Sequence, residues 1–204
     1  MKKFLLMAVM AVAALTASAQ KGEFHVTPHI ALGYTHITNG GDFESNLSGK
    51  VGADVEYMVS DAFGLSLGLD YDYIRSLNYT EKIGSEESKI YTDYSYLNIP
   101  VLAQYHFGEG WAIKAGVQPM FLLAADLNAD YKGSNASAYK KGSIKDAYES
   151  FVLAVPVGIS YTFDSDVTVD LRCNIPTGRM DKDMGNGLDS NRMIDVAVSV
   201  GYRF

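Results

Sequence analysis

Between Leu97 and Leu123, apolar side chains recur at every second residue. They are Leu97, Ile99, Val101, Ala103, Tyr105 and Phe107, then Trp111, Ile113, Ala115, Val117, Pro119, Phe121 and Leu123. The positions between them carry Asn98, Gln104, His106, Lys114, Gly116 and Gln118. Successive strand side chains point to opposite faces, so this spacing around Gly108-Glu109-Gly110 predicts a β-hairpin with one continuous apolar face. Six more segments repeat the rule, with apolar residues in step from Phe24 to Tyr34, Leu47 to Tyr57, Phe63 to Tyr73, Phe151 to Phe163, Val167 to Ile175 and Ile194 to Phe204. Eight strands result.

Tight turns at Ser60-Asp61-Ala62, Gly108-Glu109-Gly110 and Asp164-Ser165-Asp166 alternate with long polar loops near 38–42, 75–90, 128–148 and 177–191. An even strand number, short turns on one side and long loops on the other describe a transmembrane β-barrel with apolar residues outward and polar residues inward. Aromatic residues gather near strand ends: Phe63, Phe107, Trp111, Phe163 and Phe204 by the short turns, and Tyr34, Tyr71 and Tyr73 toward the loops. Such rings prefer the headgroup level of a bilayer. The predicted fold is therefore all-β, an eight-stranded antiparallel up-and-down transmembrane barrel. Pro28, Pro100, Pro119, Pro156 and Pro176 all fall within or at the end of strands. Each removes a ladder donor, so bulges or shifted registers are expected there.

The N-terminus separates from this pattern. Lys2-Lys3, an apolar run from Phe4 to Leu15 and Ala17-Ser18-Ala19 compose a secretory signal peptide, with Ala17 and Ala19 at the cleavage site. Residues 1–19 are thus expected to be removed, leaving 20–204 as the barrel domain. The 204-residue chain has a formal net charge of −7, and loss of Lys2 and Lys3 makes it more acidic still. That charge argues against nucleic-acid binding, which needs basic patches. One cysteine, Cys173, excludes an intramolecular disulfide.

Three pieces resemble a known family: Tyr96-Leu97-Asn98-Ile99-Pro100-Val101, Lys114-Ala115-Gly116-Val117-Gln118-Pro119 and the terminal Val200-Gly201-Tyr202-Arg203-Phe204. They are similar to the outer-membrane β-barrel domain proteins common in Bacteroidetes, a group that includes the PorT-like proteins and is related in shape to small OmpA- and OmpX-type barrels. The resemblance implies residence in the outer membrane of a Gram-negative bacterium. It also implies that Tyr202 and Phe204 form the signal read by the barrel-assembly machinery. It transfers no catalytic motif, and fold alone assigns no activity.

In such a barrel the inward face holds Lys50, Asp54, Glu56, Asp70, Asp72, Lys114, Asp126, Asp170, Arg172, Asp195 and Arg203. Eight strands leave an interior that side chains can fill, and buried charges are costly unless paired. A plug of mutually paired charges is expected, with a narrow cation-selective path as the rival. His25 and His29 lie about 13 Å apart along one strand, too far to share an ion, and His36 and His106 lack ligand-spaced partners. The run Asp181-x-Asp183-x-Gly185-Asn186-Gly187 misplaces a calcium loop's glycine and has Arg192 where that loop needs Glu. The Gly-x-Ser-x-Gly spacing at Gly64-Leu65-Ser66-Leu67-Gly68 falls inside a predicted strand and not at the strand-to-helix turn that a nucleophile elbow needs. The expectation is a non-catalytic barrel without cofactor or metal, embedded in outer-membrane lipid, with a structural or interaction role in which four extracellular loops are available to a partner. The alternatives are a soluble exported lipocalin-like barrel with an apolar ligand inside, and a PorT-like accessory of a secretion system.

Overall fold

The side chains that alternate in the sequence separate cleanly in space. Ile30, Leu32 and Leu47 are 66%, 79% and 65% exposed, while Asp70 and Asp72 are 3% and 1% exposed. The fold is a computed structural model that describes residues 22–38, 45–83, 86–132, 137–182 and 192–204. Its strands are β1 (Phe24–Thr38), β2 (Ser45–Ser60), β3 (Phe63–Ile83), β4 (Glu86–Asn98), β5 (Val101–Phe107), β6 (Trp111–Lys132), β7 (Ser137–Ser143), β8 (Phe151–Thr162), β9 (Val167–Pro176) and β10 (Arg192–Tyr202). A 3-10 turn spans Lys145–Ala147.

Nine of these ten segments make a ring of eight antiparallel strands. β4 and β5 together occupy one place between β3 and β6, in one register on either side of Ile99-Pro100. β7 pairs with β6 beyond the ring. β10 returns to β1 from His29↔Gly201 to Thr38↔Arg192, and Val26 and Phe204 exchange backbone hydrogen bonds of 3.2 and 2.9 Å. The seam leaves no edge, as lipid requires, because hydrocarbon offers no water to free N–H and C=O groups.

The short turns and both described chain ends lie at one end of the ring, the long connections at the other. Gly108 and Gly110 take φ of +56° and +85°, so the tight turn the sequence predicted needs residues without a Cβ. A belt of rings circles this end. Trp111 and Tyr161 are 4.9 Å apart between centroids, Tyr161 and Phe163 4.8 Å, and Tyr202 and Phe204 4.7 Å.

Three expectations change. The soluble lipocalin-like alternative is overturned, since the apolar stripes point out and the charges point in. The long loops are shorter than the sequence suggested: β3 and β4 continue to Ile83 and from Glu86, and β6 runs to Lys132 against β7, so much of 75–90 and 128–148 is paired sheet above the ring. The prolines do not shift the register. Pro100 interrupts its strand, yet its carbonyl still accepts from Gly68 at 2.8 Å. Pro156 matches a gap in the β6–β8 ladder at Gly116, and pairing resumes in the same register at Gln118↔Ala154. The irregularities fall instead at Met58/Ser60, Leu77/Tyr79 and Ser95/Tyr96. A missing donor costs one bond, whereas a one-residue slip would turn every apolar side chain inward.

Leu67, 56% exposed, is the fifth residue of β3 and lies on its outer face. Leu67→Arg should cost on the order of 2–4 kcal/mol if it lies at the bilayer midplane, read by urea unfolding in phospholipid vesicles.

Candidate functional site

Among the described residues, buried polar chemistry concentrates in the lumen, which has two storeys. The lower storey, toward the short turns, is charged. β9 contributes Arg172, whose guanidinium lies 3.2 Å from Asp54 on β2, 3.9 Å from Asp70 on β3 and 3.4 Å from Asp170 two residues away. Lys114 on β6 pairs with the same Asp170. Higher up, Lys50 on β2 pairs with Asp195 on β10 and lies 3.3 Å from Asp72 on β3. Asp195 also accepts hydrogen bonds from Thr35 (3.1 Å), Ser48 (2.8 Å) and Asn174 (3.1 Å). At the mouth, Glu56 receives Arg203 at 3.3 Å and His106 at 2.7 Å.

Ten of the residues named from the sequence thus face the lumen in three groups of ion pairs, one around Arg172, one around Lys50 and one around Glu56. Asp126 does not join them. It lies beyond the irregularity at Ser95/Tyr96, half-buried, and pairs with Lys141 at 2.9 Å.

Glycines make room for the carboxylates. A Cβ on Gly68 would collide with an oxygen of Asp54, and one on Gly52 with an oxygen of Asp70. Both pairs are cross-strand neighbours in the β2–β3 register, Asp54↔Gly68 and Gly52↔Asp70. Each acid therefore lies flat over bare backbone, which lets four charged strands converge in a narrow lumen.

The upper storey holds an apolar cluster. Ile74, Tyr94, Tyr96, Met120, Leu122 and Val152 point inward and are buried. The even positions of the central hairpin are therefore apolar at Met120 and Leu122, so that face is polar only in its lower half. The connection after β7 folds across the top. Ile144 N donates to Ala125 O at 2.9 Å, Tyr148 bridges to Asp181, and Glu149 N donates to Met180 O at 2.8 Å. Met180 is buried in the cluster, with Ile144 and Tyr148 packed against it. The Tyr94 hydroxyl donates to that of Tyr148 at 3.0 Å, and the rings meet edge to face at 5.2 Å. Cavities of about 40 and 20 Å³ flank Arg172, room for isolated waters. A hollow of about 590 Å³ opens at the short-turn end, lined in part by His25, His106 and Arg203.

The outer membrane protein beta-barrel domain family matches residues 4–204. The chain belongs to that family. Among solved structures it is similar to Ail, the attachment invasion locus protein of Yersinia pestis, in complex with the heparin analogue sucrose octasulfate. The TM-score there is 0.52 and the identity 12%, over 91% of this chain and 100% of Ail. Neisserial surface protein A gives TM-score 0.40 and 16% identity over 89% of this chain and 97% of that one. The N-terminal β-barrel domain of Pseudomonas aeruginosa OprF gives 0.38 and 13%, over 90% and 99%. No curated protein matches. At such identity the Ail likeness shows the fold alone. This member of the outer-membrane barrel family resides in the bacterial outer membrane, with its apolar belt in lipid.

Reasoning along single strands missed two lumen members, His29 and His106. His29 comes within 4.8 Å of Asp54 and Asp70, a set of metal-ligand type. Arg172 already lies among those carboxylates, and both ring nitrogens of His29 face oxygens. The calcium-like run from Asp183 to Gly187 and the cleavage residues Ala17 and Ala19 lie outside the described residues. Tyr202 and Phe204 point outward at the seam, 43% and 53% exposed.

Removing one member of a buried charge set leaves its partners uncompensated. Arg172→Ala should destabilise the folded barrel by about 3–5 kcal/mol, read as a lower urea midpoint for the compact, heat-modifiable band on unheated gels.

Proposed function

We propose that this protein is a closed, non-catalytic barrel that anchors its extracellular ends in the outer membrane and presents them to a protein partner, with a lumen plugged by its own side chains. The observation that carries this reading is the double closure, paired charges below and a buried apolar cluster above, strapped by the Tyr148–Asp181 bridge. Either storey alone would obstruct an ion. The cavities beside Arg172, within the charged storey, have room only for isolated waters, which supports this reading.

The extracellular ends point to the partner's chemistry. Ail is named with a heparin analogue, a polysulfate. Here three ion pairs among the described residues lie above the ring: Arg75 with Asp93 at 2.8 Å, Lys141 with Asp126 at 2.9 Å, and Arg179 with Asp181 at 4.0 Å. Arg75 also lies over the Tyr91 ring at 4.5 Å. Mixed charges beside half-buried tyrosine suit a protein surface better than a polyanion.

In biogenesis, a signal peptide cleaved after Ala19 directs export, and Tyr202 and Phe204 at the closing seam serve as the signal for the barrel-assembly machinery. Kinship with the PorT-like proteins of Bacteroidetes rests on the motifs at Tyr96, Lys114 and Val200. Secretion that proceeds normally after gene deletion would remove the secretion-accessory role that such kinship suggests.

Two measurements test the main reading. In planar bilayers the refolded protein should give no stable conductance steps, and steady cation-selective steps would overturn the plug. In a Cys173→Ser background, an impermeant thiol reagent should label Ser143→Cys on intact cells and Asp61→Cys only after the outer membrane is opened. The reverse pattern would invert the orientation.

A further inference from the structure

His29 is the lumen group that strand-by-strand reading left aside, and its surroundings specify its protonation. It lies on β1 with its side chain 8% exposed. On its own strand, Nδ1 is hydrogen-bonded to the Thr27 carbonyl oxygen at 3.2 Å. From β2, Asp54 Oδ2 lies 4.0 Å from Nδ1, and from β3, Asp70 Oδ1 lies 3.1 Å from Nε2. From β9, Arg172 and Asp170 face the same group of acids. Lys114 on β6 and Lys50 on β2 line the small cavities beside the ring, with Ser199 from β10.

A carbonyl oxygen only accepts, so Nδ1 carries a proton. In a neutral ring Nε2 would then hold a lone pair. That lone pair would face a carboxylate oxygen at 3.1 Å in a site shielded from water, an unfavourable contact between two centres of negative charge. Protonating Nε2 turns the same contact into an ion pair. The charge inventory agrees. Six carboxylates (Asp54, Glu56, Asp70, Asp72, Asp170 and Asp195) face four permanent cations, Lys50, Lys114, Arg172 and Arg203. Burial in a low-dielectric lumen penalises the excess.

We propose that His29 is held as an imidazolium, so that a bound proton is a structural ligand of the barrel. The proton acts as a fifth cation where Asp54, Asp70 and Asp170 outnumber Arg172 and Lys114. His106 provides the internal contrast. It sits at the open end, its side chain 20% exposed, and its 2.7 Å contact with Glu56 needs only one ring N–H. The lumen plug is therefore complete while His29 keeps both protons and loses a contact when alkali removes one. This inference rests on the plugged lumen proposed above. Bilayer conductance tests the plug and spectroscopy tests the proton, so the two can fail separately.

The experiment uses the full barrel, refolded in detergent micelles with ¹⁵N-labelled histidine, and long-range ¹H–¹⁵N correlation spectra from about pH 6 to about pH 9. At about pH 7.5, where a free imidazole is mostly neutral, both His29 ring nitrogens should resonate as protonated. A neutral tautomer there would overturn the proposal. The chain has four histidines. His29→Gln assigns the signal directly, and if that variant does not fold, His25→Gln, His36→Gln and His106→Gln assign it by elimination. In unfolding experiments the wild-type urea midpoint should fall as pH rises through the loss of this proton. His29→Arg, which keeps its charge, should lose that fall. A wild-type midpoint that stays flat across the range would count against the proton as a structural ligand.

Discussion

Backbone hydrogen bonding in a medium without water is the constraint on which everything else here depends. Hydrocarbon leaves an unpaired N–H or C=O no partner, so a sheet in lipid must close. Closure at the β1–β10 seam fixes which face of every strand looks inward. That choice sends the apolar stripe to lipid and leaves charged residues to settle their balance in a narrow interior. The paired lumen follows from the closed ring.

The same constraint explains how the barrel tolerates its prolines. A residue without a donor breaks one rung, and the neighbouring rungs hold the register because a slip would expose charge to lipid along a whole strand. Pro100 and Pro156 are placed so that the rungs beside them survive, through the Gly68–Pro100 bond and the Gln118↔Ala154 pair. Register here is enforced by burial more than by the count of hydrogen bonds.

Much of this was legible in the sequence, and the limits have physical causes. Period-two alternation and the sequence of short and long connections carried the strand count, the closed ring and the outward face. The ten charged lumen residues could be named because side-chain direction depends only on parity within a strand. Partnerships depend on register between strands. The short turn at Ser60-Asp61-Ala62 would have placed Asp54 opposite Gly68 and Asp70 opposite Gly52. The long β1–β2 connection gave no comparable fix for His29. It was judged by its distance to His25 along one strand, when its neighbours come from β2, β3 and β9. The upper storey was partly visible, since Met120 and Leu122 are apolar at inward positions. Tyr148 and Met180 reach it from connections whose folding alternation does not describe.

The bridge between Tyr148 and Asp181 divides the extracellular surface into two regimes of sequence freedom. Below it, residues that fill the mouth are bound to one another and to the barrel, and a change in one must be matched in the others. Above it, in the plugged barrel proposed here, the extensions would carry no share of the seal. Insertions or substitutions beyond the strap would then alter what the cell displays while the interior stays shut. A barrel built this way would vary its outward identity and keep the permeability of its membrane unchanged.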